Sequence, residues 1–241
     1  SYWLFFKKDT YVSFDFRNFS FDAKILKDIF RVDLPASVQQ LSISFMMLVM
    51  NLIFVKAGGT DGVAVFSTGW RVATIATLPL MGIATSVVAV AGAAFGAGAF
   101  RKLDITYNYA LKLGIAIEVC MAIATFILAP QITAVFTQAE GSARIADDLV
   151  TFLRVLCVFY PTVAFGMLPS SVFQSTGRGM NALIVTILRT QDLTLPLSWI
   201  FAFILDLGLP GVWWGVVVGN VIGTLTAFAW VKIFIKNLMK G

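Results

Sequence analysis

From Leu78 to Gly98 the chain carries no charged residue, and glycine and alanine dominate the end of that run, before Ala99-Phe100-Arg101-Lys102. A run this long and this apolar needs apolar surroundings along its whole length. Gly82, Ser86 and Ala89 share one helical face, continued by Ala93 and Gly96. Small faces let helix backbones approach closely inside a bilayer, where packing and not water exclusion joins helices. The stretch therefore predicts a membrane helix with a close helical neighbour on its Gly82/Ser86 face.

The remainder of the chain agrees. Of 241 residues, 59% are apolar and 13% charged, about half the ~25% usual in soluble proteins. Mean hydropathy is +0.86. A soluble domain of this size could not hide so much apolar surface, so the expectation is an all-α protein of the cell membrane, multi-pass, in contact with the lipid bilayer. The net charge of +5 is then no sign of nucleic acid. There is no histidine, and Cys120 and Cys157 both lie in apolar runs, which removes most zinc and haem readings. No nucleophile–base pair or phosphate loop is present, so neither an enzyme nor a cofactor is expected.

The spans follow from apolar length and from Pro/Gly punctuation. Residues 1–33 read as a linker preceded by the end of another helix, so the chain is expected to be part of a longer protein. Phe21, Ile25, Ile29 and Val32 recur at helical spacing and suggest a surface helix, or else a solvated linker. Six membrane helices are expected within 34–239, at about 34–56, 62–97, 104–129, 143–174, 181–205 and 211–235. Asp33 can cap the first, with Pro35 in its opening turn. Ala57 to Asp61 should turn. Pro79 should hinge the second helix by removing an amide donor, and Pro130 should stop the third.

Lys7, Lys8, Arg17, Lys24, Lys27, Arg31, Arg101, Lys102, Arg178, Lys232, Lys236 and Lys240 fall on one side of such a topology, against Lys56 and Arg144 on the other. Basic loops stay inside, which predicts that both termini are cytoplasmic.

Several stretches, in order, resemble the multidrug and toxic compound extrusion (MATE) transporters. They are Arg31-Val-Asp-Leu-Pro35, Gly58-Gly-Thr-Asp-Gly-Val-Ala64, the Gly96-Ala-Gly98 ending with its basic turn, and Phe173-Gln-Ser-Thr-Gly-Arg-Gly179. Leu195-Pro-Leu-Ser-Trp199 and Leu209-Pro-Gly-Val-Trp-Trp-Gly215 complete the set. The resemblance implies the C-terminal six-helix lobe of a twelve-helix transporter working by alternating access. It also implies that the partner is an N-terminal six-helix lobe or a second copy of the chain. Asp33, Gln191 and Asp192 depart from the family pattern. The carboxylate that some branches of the family carry on the first or fourth helix of this lobe has no counterpart in Gln39–Phe45 or Tyr160–Ala164, so the resemblance implies that the DinF-like branch, with its coupling acid in the other lobe, is the closer relative.

Polar groups within the spans mark two candidate surfaces. Gln39, Gln40, Ser44 and Asn51 surround Met46, Met47 and Met50 on the first helix. Methionine suits a substrate path that accepts several ligand shapes, and it suits ordinary helix packing as well. Glu118, Arg154, Arg189 and Asp192 carry charge at membrane depth, at a cost of about 2.5–3.5 kcal/mol each on insertion scales. Arg189 and Asp192, three residues apart, should share a face, leaving Glu118 to pair with Arg154. The network serves either a proton or substrate relay or a structural set of ion pairs. Arg71 and Lys112 should snorkel.

With the resemblance, the expected function is half of a secondary active exporter of amphipathic organic compounds, coupled to an H⁺ or Na⁺ gradient. The alternatives are a lipid-linked precursor flippase of the same superfamily and a non-transporting membrane scaffold.

In cells, with Cys120 and Cys157 replaced by alanine, a membrane-impermeant thiol reagent should label Lys56→Cys from outside. It should reach Arg101→Cys and Lys240→Cys only after permeabilisation. Labelling of the last two in intact cells would reverse the topology.

Overall fold

The computed structural model describes residues 23–138 and 143–240, and nearly all of them are helical. The expected linker up to residue 22 lies outside the described residues. The helices are α1 (residues 23–57), α2 (residues 60–76), α3 (Leu78–Gly96), α4 (Phe100–Phe136), α5 (Ala146–Ser175), α6 (Gly179–Ile187), α7 (Leu195–Trp199) and α8 (Gly208–Leu238). α1 and α2 are arms of a hairpin. Phe54 and Phe66 stack at 4.3 Å between ring centroids, whereas twelve residues of unbroken helix would hold them ~18 Å apart. The reversal falls at Gly58 and Gly59, as the turn signals predict. Gly59, at φ 60° and ψ −151°, occupies a region that only glycine enters at no steric cost.

α2 and α3 form one rod interrupted at Thr77, within a turn of Pro79. The ladder continues across the break through Thr77 N to Ala73 O at 3.0 Å and Met81 N to Thr77 O at 3.1 Å. Around it the Thr74 hydroxyl donates to Trp70 O at 2.8 Å and the Thr77 hydroxyl to Ala73 O at 3.1 Å. Both are bonds of a threonine hydroxyl to the carbonyl four residues earlier, which bend a helix slightly; the carbonyl that loses its donor to Pro79 is that of Ile75.

The span from residue 179 to 204 is also one rod. It alternates α6, a π-helical segment Leu188–Thr194, α7, and a second π segment Ile200–Ile204. Six rods result among the described residues, as the apolar runs predict. Five helical stretches meet the length and hydropathy of a membrane crossing: Leu34–Ala76, which holds both arms of the hairpin, α3, α4, Ala143–Ser175 and α8.

Some expected boundaries move. Among the described residues the first helix already begins at Ala23 and passes through position 33, so Asp33 does not stand at a helix N-terminus and the described part of the expected surface helix belongs to this helix; Phe21 lies outside the described residues. α4 runs through Pro130 to Phe136. One proline removes one helical donor, and the turns that follow remain bonded, with Thr137 N reaching Thr133 O at 3.0 Å.

α5 is the axis of the bundle, packed against α3, α4, α6 and α8. One apolar cluster gathers around Phe54, Phe66, Phe152 and Trp213, and a second around Leu103, Tyr107, Phe173 and Phe234. Val163 touches both. The helix from Leu78 turns inward with Leu80, Ala84, Val87, Ala91 and Ala94. Its Gly82, Ser86, Ala89, Ala93 and Gly96 are exposed, which corrects the expected packing on the small face. The bulkier stripe buries more surface and takes the inner position.

The closest helix contact lies elsewhere. Gly211, Gly215, Gly219 and Gly223 recur every fourth residue on α8 and meet the backbone of the preceding span. A Cβ at Gly219 would stand 2.6 Å from Thr194 Cα, and one at Gly223 would stand 2.7 Å from Arg189 Cα. Gly219→Ala should therefore destabilise the bundle by about 1–3 kcal/mol, read as a lower melting temperature in detergent. Gly82→Ala, at a site with open space, should leave stability unchanged or raise it, since alanine is the better helix former by about 1 kcal/mol. Equal effects of the two would refute the assignment of the close face.

Candidate functional site

A cavity of about 760 Å³ opens between α1, α2, α3, α5, the rod from residue 179, and α8. Its walls are mainly apolar and soft: Met46, Met81, Met167, Trp70, Phe159 and Val163. Hydroxyl and amide groups line much of the rest, among them Thr74 and Thr77 at the α2–α3 interruption, Ser170 and Ser171 on α5, and Asn220 on α8. Membrane helices turn such groups away from lipid, and here they converge on one space.

Gln39 ties three helices together at the cavity wall. Its amide nitrogen donates to Thr186 Oγ1 at 2.6 Å, and Gln174 donates to its carbonyl oxygen at 3.3 Å. Nearby, Gln191 donates to the Ser42 carbonyl at 3.2 Å. This is the role of one of the residues that departs from the family pattern: it latches the π-helical segment to α1.

Of the expected substrate-path residues, only Gln39 and Met46 line the cavity. They share a face of α1 with Ile43, at steps of four and three residues. Met50 is fully buried in the apolar cluster and Met47 packs against it. Gln40 and Ser44 are exposed one step round the helix, the Ser44 hydroxyl donating to Gln40 O at 3.1 Å. Asn51 lies outside the cavity, with its Oδ1 enclosed and unpartnered among the described residues.

The expected charge network does not form. Glu118 is fully buried in α4 with neither carboxylate oxygen bonded among the described residues. Arg154 lies on the outer side of α5, its guanidinium 5.4 Å from the Phe126 ring centroid. Arg189 and Asp192 separate because both sit in the π segment. Its i+5 bonding, visible also in Thr194 Oγ1 donating to Arg189 O at 2.8 Å, widens the turn, so a three-residue step no longer returns to one face. Arg189 lines the cavity and Asp192 is exposed. The ion pairs found among the described residues are at the ends of the bundle, Arg144–Asp61 at 2.7 Å and Lys232–Asp104 at 3.4 Å. Arg71 and Lys112 are exposed, as snorkelling requires.

The expected substrate-path residues include none from the α2, α3 and α5 walls. The available signal was the spacing of polar groups in spans that face lipid elsewhere: Thr74 and Thr77, then Ser170, Ser171 and Gln174.

The profile of the MatE family matches residues 35–200. The chain belongs to this family. It is 26% identical over 223 residues to the multidrug export protein MepA of Staphylococcus aureus, covering 92% of this chain and 48% of that protein. The outward-facing conformation of a multidrug resistance MATE family transporter of the MOP superfamily superposes with a TM-score of 0.94 at 42% identity, over 100% of this chain and 53% of that one. The inward-facing conformation of such a transporter gives 0.85 at 41%, over 99% and 54%. The chain spans about half the length of the relatives it matches, and the half it spans is a six-rod membrane bundle.

The Gln39 latch can be measured. In a double-mutant cycle of Gln39→Leu and Gln174→Leu on the detergent-solubilised protein, the coupling should be about 0.6 kcal/mol, with about 1.7 kcal/mol as the upper end for such membrane hydrogen bonds. Additive effects of the two substitutions would remove the bond from the account.

Proposed function

We propose that this MATE chain is one lobe of a secondary active exporter, moving amphipathic organic compounds by cation-coupled antiport and alternating access. The observation that carries the proposal is the cavity. It is large enough for a drug-sized ligand, it is walled by methionine and aromatic side chains that adapt to many shapes, and its rim is formed in part by the Thr77–Pro79 interruption. A wall that contains a hinge can change its shape without unpacking the core. The relatives named as multidrug exporters support the same reading.

The transport path is completed by a second lobe. The exposed face of α1, with Gln40 and Ser44, and the exposed small face of α3 are suited to meet it, because polar groups and small residues both serve helix association in lipid. No carboxylate lines the cavity among the described residues. That favours a coupling site, for H⁺ or Na⁺, on the other lobe. The excess of basic residues in the loops on one side supports a cytoplasmic position for both termini.

The test is reconstitution into proteoliposomes of the chain joined to an N-terminal six-helix lobe, alongside the chain alone. The joined protein should move a fluorescent amphipathic dye against its gradient when an H⁺ or Na⁺ gradient is imposed, and the chain alone should not. Dye movement indifferent to both gradients would overturn the antiport reading. No movement by a folded, joined protein would overturn transport altogether.

A further inference from the structure

Arg189 is the only charged residue lining the cavity among the described residues. A guanidinium keeps its proton under all ordinary conditions, so it brings a permanent positive charge to the wall of a space otherwise built from apolar and neutral polar groups. No carboxylate lies within ion-pair distance of it among the described residues, and its Nε is enclosed with no hydrogen-bond partner. The π-helical turn points Asp192 away.

The side chain is also seated in a slot made for it. A Cβ at Gly166 of α5 would fall on the Arg189 Nη1 atom. A Cβ at Gly223 of α8 would stand 2.8 Å from both Cβ and Cγ of Arg189. Two glycines on two different helices thus clear the path of the arginine stem and fix where its head emerges. Thr190, one residue on, and Asn220 of α8 line the same cavity. Arg189 is half-buried, and its enclosed Nε lacks a partner among the described residues; a charged group so placed is unfavourable unless something in the site compensates it. The described part of the chain offers no such group, and the cavity is the space that Arg189 borders.

We infer that Arg189 anchors the head group of an anionic amphiphile, a carboxylate or a phosphate, with its apolar body lying along Met46, Met81, Met167, Trp70 and Phe159. A guanidinium forks naturally onto either head group. The methionine and aromatic wall accepts the body without selecting its shape, so charge sign becomes the selective property of this lobe. The inference rests on the reading of the cavity as the ligand space of an exporter lobe and adds the class of ligand to it. Gly166 and Gly223 act as positioning residues.

The experiment is equilibrium binding to the chain in nanodiscs of neutral phospholipid, with empty nanodiscs as the blank. The probes are 11-(dansylamino)undecanoic acid and its methyl ester, which share one apolar body. The acid should bind at least ten-fold more tightly than the ester. Arg189→Gln should reduce that preference to near unity, and Arg189→Lys should keep part of it. Gly166→Ala should lower the preference with the charge still present, because it displaces the guanidinium. Dodecanoate and dodecyl phosphate should displace the acid, and dodecyltrimethylammonium should not. Displacement by phosphatidic acid added to the disc, more strongly than by dodecanoate, would assign the head group to a lipid, and the reverse would assign it to a soluble amphiphile.

Equal affinity for acid and ester in the unsubstituted chain overturns the inference, even if Arg189→Gln does not fold. So does a preference that survives Arg189→Gln. Gradient-driven dye export by the two-lobe protein without acid preference here would retain the exporter reading and remove this one. Acid preference without export would do the reverse.

Discussion

The approach of α8 to the span before it governs the architecture of this lobe. Four glycines at four-residue intervals bring α8 against the backbone at Phe201, Ser198, Thr194 and Arg189. Lipid supplies no hydrophobic drive between helices, so contact of this kind, summed over many atoms, is what holds them. The spacing of the four contacts on the opposing span is three, four and five residues. The five-residue step coincides with the π segment Leu188–Thr194. The glycine face and the widened turn fit each other, and the position of Arg189 follows from both.

From that contact the cavity follows. Arg189 is delivered to the wall by the widened turn and accommodated by Gly166 on α5. Gln191, two residues on, reaches the Ser42 carbonyl and Gln39 closes onto Thr186 of α6, so α1 is held both to the π segment and to the helix before it. The facing wall is α2–α3, whose helical geometry is interrupted at Thr77 while backbone bonds continue on either side of it. One wall is thereby tied by amide hydrogen bonds, and the other contains Pro79, which supplies no amide donor.

Glu118 shows how burial and partnership separate in such a bundle. It is fully enclosed in α4, and the arginine expected to meet it lies on the outer side of α5, over the Phe126 ring. Arg154 resolves its own cost by facing outward on a long stem. Pairing by elimination assumes that charges at the same depth face each other, and the helix faces decide otherwise.

The sequence alone determined that this chain lives in a membrane, roughly where its spans run, and where they reverse. Apolar length, the Gly58–Gly59 turn, the Pro79 interruption and the ordered motifs are all local, and each has a local physical cause. Which face of each span turns inward was decided only by the tertiary structure. In a soluble helix, polarity separates the core face from the outer one. In lipid both faces are apolar, so Gly82 and Ser86 read as a packing face although Leu80, Ala84 and Val87 took that place. Gln40 and Ser44 likewise read as cavity residues beside Gln39, one step round the helix from the face that counts. The π segment adds a second reason. Nothing in Leu188–Thr194 announces that its hydrogen bonds close one residue late. That single offset separates Arg189 from Asp192 and puts at the wall of the cavity a positive charge with no ion-pair partner among the described residues.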